Sequence, residues 1–473
     1  MTGTGQDVIV IGGGVGGLGT ALLLARDGHR VRLLERDAAP HPADPTAAWR
    51  GWERRGVPQF RLLHSFLPLW REIVEAELPE VAAAMDAAGA LRTNPVANVP
   101  VAVSGGPRPG DERFEQLTAR RPVTEAAMAA VAAATPGLTV ERGVAVRGLV
   151  AADRPHLPGV PHVAGVATDD GRRLTAGLVV DCGGRRSPLP AWLAELGAAP
   201  PQEERDDNAF IYYARHFRSA DGTVPVAFGP PAQPYDSVTL VMLPTDNGTW
   251  GVAVVGSARD AALRAARHED IWSRVVKSYP LVAHWLEGEP ISGVDVMAKI
   301  EDRRRRYWGY GAPVATGIAA VGDAWACTNP AVGRGASIAL RHGQVLRDVL
   351  RDVPAADPVA FARRWDAATA ETVEPLYRDT VAIDRHRLAQ IDHQIAGVPY
   401  ETDDPDWHRS EALRRGAGAD ADLLRAYSMV RTLLGRACDE WERPGIAERA
   451  TSVTPPPPAP GPDRRELEGI LAG

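Results

Sequence analysis

Apolar and polar residues change their rhythm several times along the chain. Val8-Ile9-Val10-Ile11 is an unbroken apolar run, the pattern of a strand buried on both faces of a parallel sheet. Gly17–Asp27 predicts a helix carrying Leu18, Leu22, Leu23 and Leu24, closed by Gly28. His29–Leu34 predicts a second strand, with Glu35 at its end. Ala38–Ala48, rich in Pro and Ala, reads as loop. Phe66–Glu77 places Leu69, Ile73 and Val74 on one helical face, and Pro79–Gly89 begins another helix. Val96–Val103 alternates enough for a strand, Arg121–Ala134 predicts a helix, and Leu138–Glu141, Val144–Ala151 and Leu178–Asp181 predict strands.

From about Phe210 the period becomes two. Phe210–Phe217, Val224–Phe228, Val238–Leu243 and Trp250–Val255 read as antiparallel strands, and Asp246-Asn247-Gly248 is a hairpin signal. Helical patterns follow at Asp260–Arg267 and Ile271–Tyr279, and residues 295–306 hold a further strand. Ile318–Val321 returns to a buried strand and leads to the helix Gly335–Arg351. Beyond residue 355 the pattern is helical, clearest at Phe361–Val373 and Leu423–Leu434, and Pro455–Pro462 is expected on the surface.

This order predicts an α/β fold: a Rossmann-like dinucleotide-binding domain with an inserted antiparallel-sheet substrate domain and a C-terminal helical region. The expected boundaries are 1–92, 113–195 and 301–352 for the nucleotide domain. A strand from 93–112 joins residues 196–300 in the substrate domain, and 353–473 is the helical region.

Composition narrows the classes. A chain of 473 residues is too long for one ordinary core, and 45% hydrophobic with 24% charged residues is a globular balance. The net charge of −7 argues against nucleic acid as a partner. No apolar run reaches the roughly 18 residues of a membrane span. The start MTGTGQD carries no basic segment, so a cytoplasmic protein without a signal peptide is expected. Cys182, Cys327 and Cys438 are too few and scattered for a disulfide framework, and no metal-ligand spacing appears. Lys277 and Lys299 are the only lysines.

The chemistry-bearing stretch is Gly12-Gly13-Gly14-Val15-Gly16-Gly17, a G-x-G-x-x-G between a strand and a helix. Gly12 serves the turn, Gly14 admits a pyrophosphate, and Gly17 lets the helix approach the strand. Glu35 stands where an acid accepts ribose hydroxyls. A second constellation, Gly322-Asp323 through Pro330, Gly333 and Gly335, follows a strand and opens a helix. An acid at a strand end accepts from polyol hydroxyls, and the turn offers N–H groups to a ligand. A flavin needs both ends held in this way.

On these residues the chain resembles the FAD-dependent monooxygenases of the para-hydroxybenzoate hydroxylase fold, over roughly residues 5–350. Arg54…Gly56-Val-Pro-Gln59-x-Arg61-x-x-His64 and Asp181-x-x-Gly184-Arg185-x-Ser187 resemble the branch containing polyether epoxidases. The resemblance implies FAD contacts from Gly12, Gly14, Gly17, Glu35, Arg36, Arg121, Gly322, Asp323 and Pro330. It also implies that Gly333 and Gly335 present N–H groups to the flavin pyrimidine edge. It implies oxygen transfer through a flavin C4a-hydroperoxide, by hydroxylation or epoxidation of a mainly apolar small molecule in secondary metabolism. A flavin reductase, dehydrogenase or halogenase on the same fold is the alternative. Asp181-Cys182-Gly183 departs from the D-G-x-x-S-x-x-R of single-component hydroxylases, so NAD(P)H is expected to act directly or through a partner flavin reductase.

Several residues stay open to two readings. His64 and Arg61 are candidates for catalytic work or for structural contacts. Arg303–Arg306 is an anion-recognition patch or a solvated face. Cys327 is a redox thiol or a small hydrophobe. Phe210, Tyr212, Phe217, Phe228 and Trp250 line a pocket or fill a core.

Overall fold

A computed structural model describes residues 5–309, 311–330 and 333–473. Strand β1 (Asp7–Ile11) leads into helix α1 (Val15–Arg26) and strand β2 (Arg30–Glu35). Helix α2 (Arg121–Ala134) and strands β3 (Leu138–Arg142) and β4 (Leu178–Asp181) follow. Next come strand β5 (Gln202–Asn208) and the long strands β6 (Phe210–Arg218), β7 (Thr239–Pro244) and β8 (Thr249–Ser257). Helix α3 (Glu269–Lys277), strands β9 (Ile300–Arg306) and β10 (Ile318–Ala320) and helix α4 (Gly335–Asp352) lead to the C-terminal helices. Of these, α5 (Glu374–Ile395), α6 (Ala421–Arg431) and α7 (Arg464–Ala472) matter below.

The nucleotide domain is built on a parallel sheet in the order β10-β4-β1-β2-β3. β1 is central, which is why Val8, Ile9, Val10 and Ile11 are all buried. α1 is apolar nearly all round because it is enclosed between α4, α2 and the sheet. The inserted antiparallel region carries a six-stranded sheet in which β6 and β8 pair antiparallel over their whole lengths. Alternation splits its faces. Tyr213, Phe217, Trp250, Val252 and Val254 pack outward under α3, while Phe210, Tyr212, Ala214, Ala253 and Val255 face inward. The Asp246–Thr249 turn has positive φ at Asn247 (52°) and Gly248 (63°), the hairpin geometry that matches strand twist.

Four expectations fail for local reasons. Val96–Val103 is not a strand, and residues 93–112 add none to the six-stranded sheet. The Asn94 side chain instead accepts the N–H groups of Val96 and Ala97, and Pro100 starts a short helix, Val101–Ser104. Ala38–Ala48 is only partly loop, because Asp44 caps a helix at Pro45–Gly51. Val224–Phe228 leaves the sheet, with Val226 and Phe228 exposed; the edge strand is Ala232–Pro234. Asp260–Arg267 tightens to a 3-10 helix at Ala262–Arg267.

The tail returns to the six-stranded sheet. α7 has a capping box at Asp463 and Glu466, and Leu467 and Leu471 enter the core under the outer sheet face. Arg464 grips Asp260 at 2.5 and 3.0 Å.

Arg303–Arg306 forms neither a recognition patch nor a solvated face. β9 pairs antiparallel with the acidic β5, setting Arg305 opposite Glu203 and Arg304 opposite Glu204. Arg305 reaches Glu203 at 2.7 Å, Arg304 reaches Glu204 (2.6 Å) and Glu374 (2.7 Å), and Arg306 reaches Asp366 (2.7 Å). The run joins the nucleotide domain to the C-terminal helices by charge.

Candidate functional site: a two-ended nucleotide cradle

The first end is the β1–α1 turn. Gly12 has φ +97°, a conformation only glycine takes cheaply, and an added Cβ would lie 2.7 Å from the Cys182 carbonyl oxygen. A Cβ on Gly17 would lie 1.8 Å from the Gly12 oxygen, so close packing requires that glycine. Gly14 differs. Its φ is −83°, and an added Cβ would meet only Arg121 Nη2, at an ordinary 3.7 Å. Nothing in the protein demands glycine there, so the missing side chain leaves room for a ligand.

The second end is the segment after β10. Gly322-Asp323 follows the strand, the Gly333 N–H closes on Pro330 O at 2.8 Å, and α4 begins at Gly335, where an added Cβ would touch nothing within 4 Å. α1 and α4 pack through small residues. A Cβ on Gly16 would lie 3.3 Å from Ala339 Cβ, and one on Gly343 would lie 2.5 Å from Thr20 Oγ1. Contacts that advance four residues together mean parallel helices, so both N-termini open at the same edge. Neither has a side-chain cap or an acid in its first turn. Two adjacent, uncapped N-termini form an anion and dipole cradle.

Asp323 makes no hydrogen bond or ion pair with another of the described residues. Burial pushes its carboxyl pKa up, against the opposing pull of Arg185, Arg121 and Arg303. Three arginine charges thus act on an acid that has no hydrogen-bond or ion-pair partner among the described residues. Asp181 is spent locally, accepting from Gly183 N at 2.8 Å and from the Ser187 hydroxyl. His342, buried on α4, accepts the Gly322 N–H at Nδ1 (3.2 Å), bonds Thr369 through Nε2 (3.2 Å) and stacks on Trp365 at 4.6 Å. It fixes the start of the Gly-Asp segment, a role its place on an apolar helix face did not announce.

Between the two ends runs a buried ladder of charge. Glu35 accepts the Gly13 N–H at 2.7 Å, the Asp37 N–H at 2.8 Å and Arg54 Nη2 at 2.6 Å. Arg54, only 5% exposed, also binds Asp37 at 3.1 Å and Glu125. Glu125 binds Arg121 at 2.8 Å, and Arg121 donates to His64 Nε2 at 3.0 Å. Arg54 opened a motif in the sequence but was given no role there, and Glu125 was not singled out at all. The only signal for Glu125 is its place one helical turn after Arg121. Arg36 is exposed at the outer end, beside Gly56.

His64 is held at both nitrogens: Nδ1 donates to Leu62 O at 2.9 Å and Nε2 accepts from Arg121. Burial, then Arg121, lowers its pKa to about 3. It is a fixed neutral acceptor that orients Arg121. Arg61 is tied to the carbonyls of Trp49 (2.8 Å) and Trp52 (2.9 Å), a staple for the turn and not a free cation. Cys327 is buried, and burial pushes its thiol pKa up to about 11, which makes it a small hydrophobe. Of the open aromatics, Phe210 and Tyr212 face inward, Phe217 and Trp250 belong to the outer core, and Phe228 is exposed.

Burial lowers the His342 pKa to about 3 as well. Below about pH 6.5 the unfolded chain takes up a proton there that the folded chain refuses. His342 therefore costs nothing above that pH and weakens the fold as pH falls from 6.5 towards 3. Relative to His342→Gln, the wild type is expected to lose roughly 2 kcal/mol between pH 7 and pH 5. Urea unfolding of the pair measures it, and a constant difference contradicts the buried neutral ring.

Residues 7–94 match the family profile described as FAD dependent oxidoreductase. A Mycobacterium tuberculosis protein, Rv3254, is 26% identical over 381 residues, 78% of each chain. Among solved structures, pqsL, a probable FAD-dependent monooxygenase from Pseudomonas aeruginosa, shares 18% identity at a TM-score of 0.58, over 83% of this chain and 99% of that one. OxyS anhydrotetracycline hydroxylase from Streptomyces rimosus shares 16% at 0.57, over 91% and 76%. The flavin-dependent halogenase CmlS shares 16% at 0.60, over 99% and 77%. The chain shares the fold of these FAD-dependent oxidoreductase structures. No helix among the described residues is long and apolar enough to cross a membrane.

Proposed function

We propose that the chain binds FAD along this cradle and acts as a monooxygenase on a mainly apolar small molecule. The observation that carries the reading is Gly14. Its Cβ position is empty of protein, beside Arg121 and at two uncapped helix N-termini, as a pyrophosphate requires. Glu35 and Arg36 stand for the adenosine end, Asp323 for the ribityl hydroxyls, and Gly333 and Gly335 for the flavin edge. Reduced FAD supplies the oxygen chemistry, activating O₂ and passing one atom on. The protein's part is to orient substrate and exclude water. The inner sheet face, small at Ala214, Gly251 and Ala253, and Leu62-Leu63 of the segment before His64 are suited to that.

The absorption spectrum of purified or FAD-reconstituted chain tests the cofactor, and one ¹⁸O atom from ¹⁸O₂ in the product tests the reaction. Anaerobic mixing with NADPH, with and without a flavin reductase, distinguishes direct from partner-borne reduction. A halogenase needs an ammonium to relay hypohalous acid. Lys277 and Lys299 are both exposed, the first on α3 over the outer sheet face. Replacing both by Arg is expected to leave turnover within about twofold, because both side chains are exposed and Arg keeps their charge. Chlorinated product from the wild type, lost in the Lys299→Arg chain, overturns the oxygenase reading.

A further inference from the structure

The C-terminal helices reach the flavin loop through a buried polar cluster that no role above uses. Asn329 opens that loop. Its N–H donates to Asp302 on β9 at 2.6 Å, and its side-chain oxygen accepts the Tyr212 hydroxyl from the inner sheet face. Asp384 on α5 faces the same amide. Asn329 and Asp302 are fully buried and Asp384 is 1% exposed. Asp384 Oδ2 and Asn329 Nδ2 are both buried with no hydrogen-bond partner among the described residues. The loop's other end is held from the same region. Arg334 donates to Thr380 Oγ1 on α5 at 3.4 Å and to the Val430 carbonyl on α6 at 2.9 Å.

We propose that Asp384 is a positioning residue for the flavin loop: from α5 it backs the buried Asn329, the residue that Tyr212 and Asp302 hold in the shape that receives FAD. Two carboxylates around one buried amide cannot both ionise at little cost. Asp302 already takes a backbone N–H, whereas Asp384 Oδ2 has no donor among the described residues, so the proton falls to Asp384. Burial, then Asp302, pushes the Asp384 carboxyl well above its usual range, with Arg334 as the opposing cation. Burial, then Asp384, raises the Tyr212 hydroxyl in turn. The C-terminal region is thus part of the cofactor site and not an appendage to it.

This rests on the FAD reading, and the test separates the two. FAD affinity is measured by fluorescence titration for the full-length wild type, Asp384→Asn and Asp384→Leu. Melting of the FAD-free chains is followed from pH 5 to pH 8. Asn keeps the size and neutrality, so affinity should stay within about threefold, while Leu should weaken it by about tenfold or more. Above about pH 4 the unfolded wild type ionises Asp384 and the folded chain does not. Wild-type melting should therefore fall behind that of Asp384→Asn by about 3 °C or more on going from pH 5 to pH 8. A constant gap, or an Asn variant as weak for FAD as Leu, overturns the proposal. So does FAD binding by Asp384→Leu equal to the wild type's. If Leu does not fold, the Asn variant and the melting gap still decide. A wild type that binds no FAD overturns the cofactor reading, and this one with it.

Discussion

Replacing Gly14 by valine is expected to abolish FAD binding while the FAD-free chain still folds. The two halves of that result come from one measurement. An added Cβ meets only Arg121 Nη2, at 3.7 Å, so the protein tolerates it. The branched carbons then occupy the approach of the pyrophosphate and cover the N–H groups that open α1. A loss of about 100-fold or more in affinity is expected, equivalent to about 2.7 kcal/mol. Gly17 is the control. Its added Cβ would lie 1.8 Å from a backbone oxygen, so Gly17→Ala should damage the fold with or without cofactor. Fluorescence titration and far-ultraviolet circular dichroism distinguish the two. Unchanged FAD affinity in Gly14→Val removes the pyrophosphate from this turn.

Replacing Arg54 by methionine is expected to be the most destabilising single change near the cradle. Arg54 bridges Glu35, Asp37 and Glu125, with its own side chain 2% exposed and theirs 4%, 11% and 0%. Methionine keeps most of the volume and none of the charge. It leaves Glu35 and Asp37 with no ion pair among the described residues, and Glu125 with Arg121 alone, in a nearly dry site, at a cost of about 3–5 kcal/mol. Its loss also frees Glu125 to pull Arg121 away from His64, so FAD affinity should fall in parallel. Urea unfolding measures the first effect and titration with FAD the second. A destabilisation under about 1 kcal/mol would show that the carboxylates shed their charge by taking up protons.

The nucleotide-binding half was legible because its requirements are local. A buried central strand, a turn that must be glycine and a helix start within a few residues of one another, so β1, α1 and Glu35 appear as one phrase of sequence. The Asn247-Gly248 hairpin was legible for the same reason: its turn chemistry lies within four residues. Where prolines and short polar caps intervene, alternation misleads. Asn94 and Pro100 turn an apparent strand at Val96–Val103 into a turn and a short helix, and Asp44 starts a helix inside an apparent loop.

Charge was the least legible property, because its meaning depends on the partner strand. Arg303–Arg306 looks solvated until β5 sets Glu203 and Glu204 opposite it, about a hundred residues away in the chain. The partners of His64 were equally hidden: Leu62 and Arg121 engage its two nitrogens, and Arg121 lies 57 residues away in the chain. The sequence by itself determined that a glycine turn between strand and helix, a Gly-Asp segment leading to a second helix and an antiparallel sheet are present, because each rests on spacing and backbone preference over a few residues. Only the tertiary structure decided which ionisable groups are spent on one another and which are left for a ligand. Arg54 lies 71 residues from Glu125, and Asn329 is 55 residues from Asp384 and 117 from Tyr212. Whether a buried group keeps its charge depends on neighbours that folding, and not chain order, brings to it.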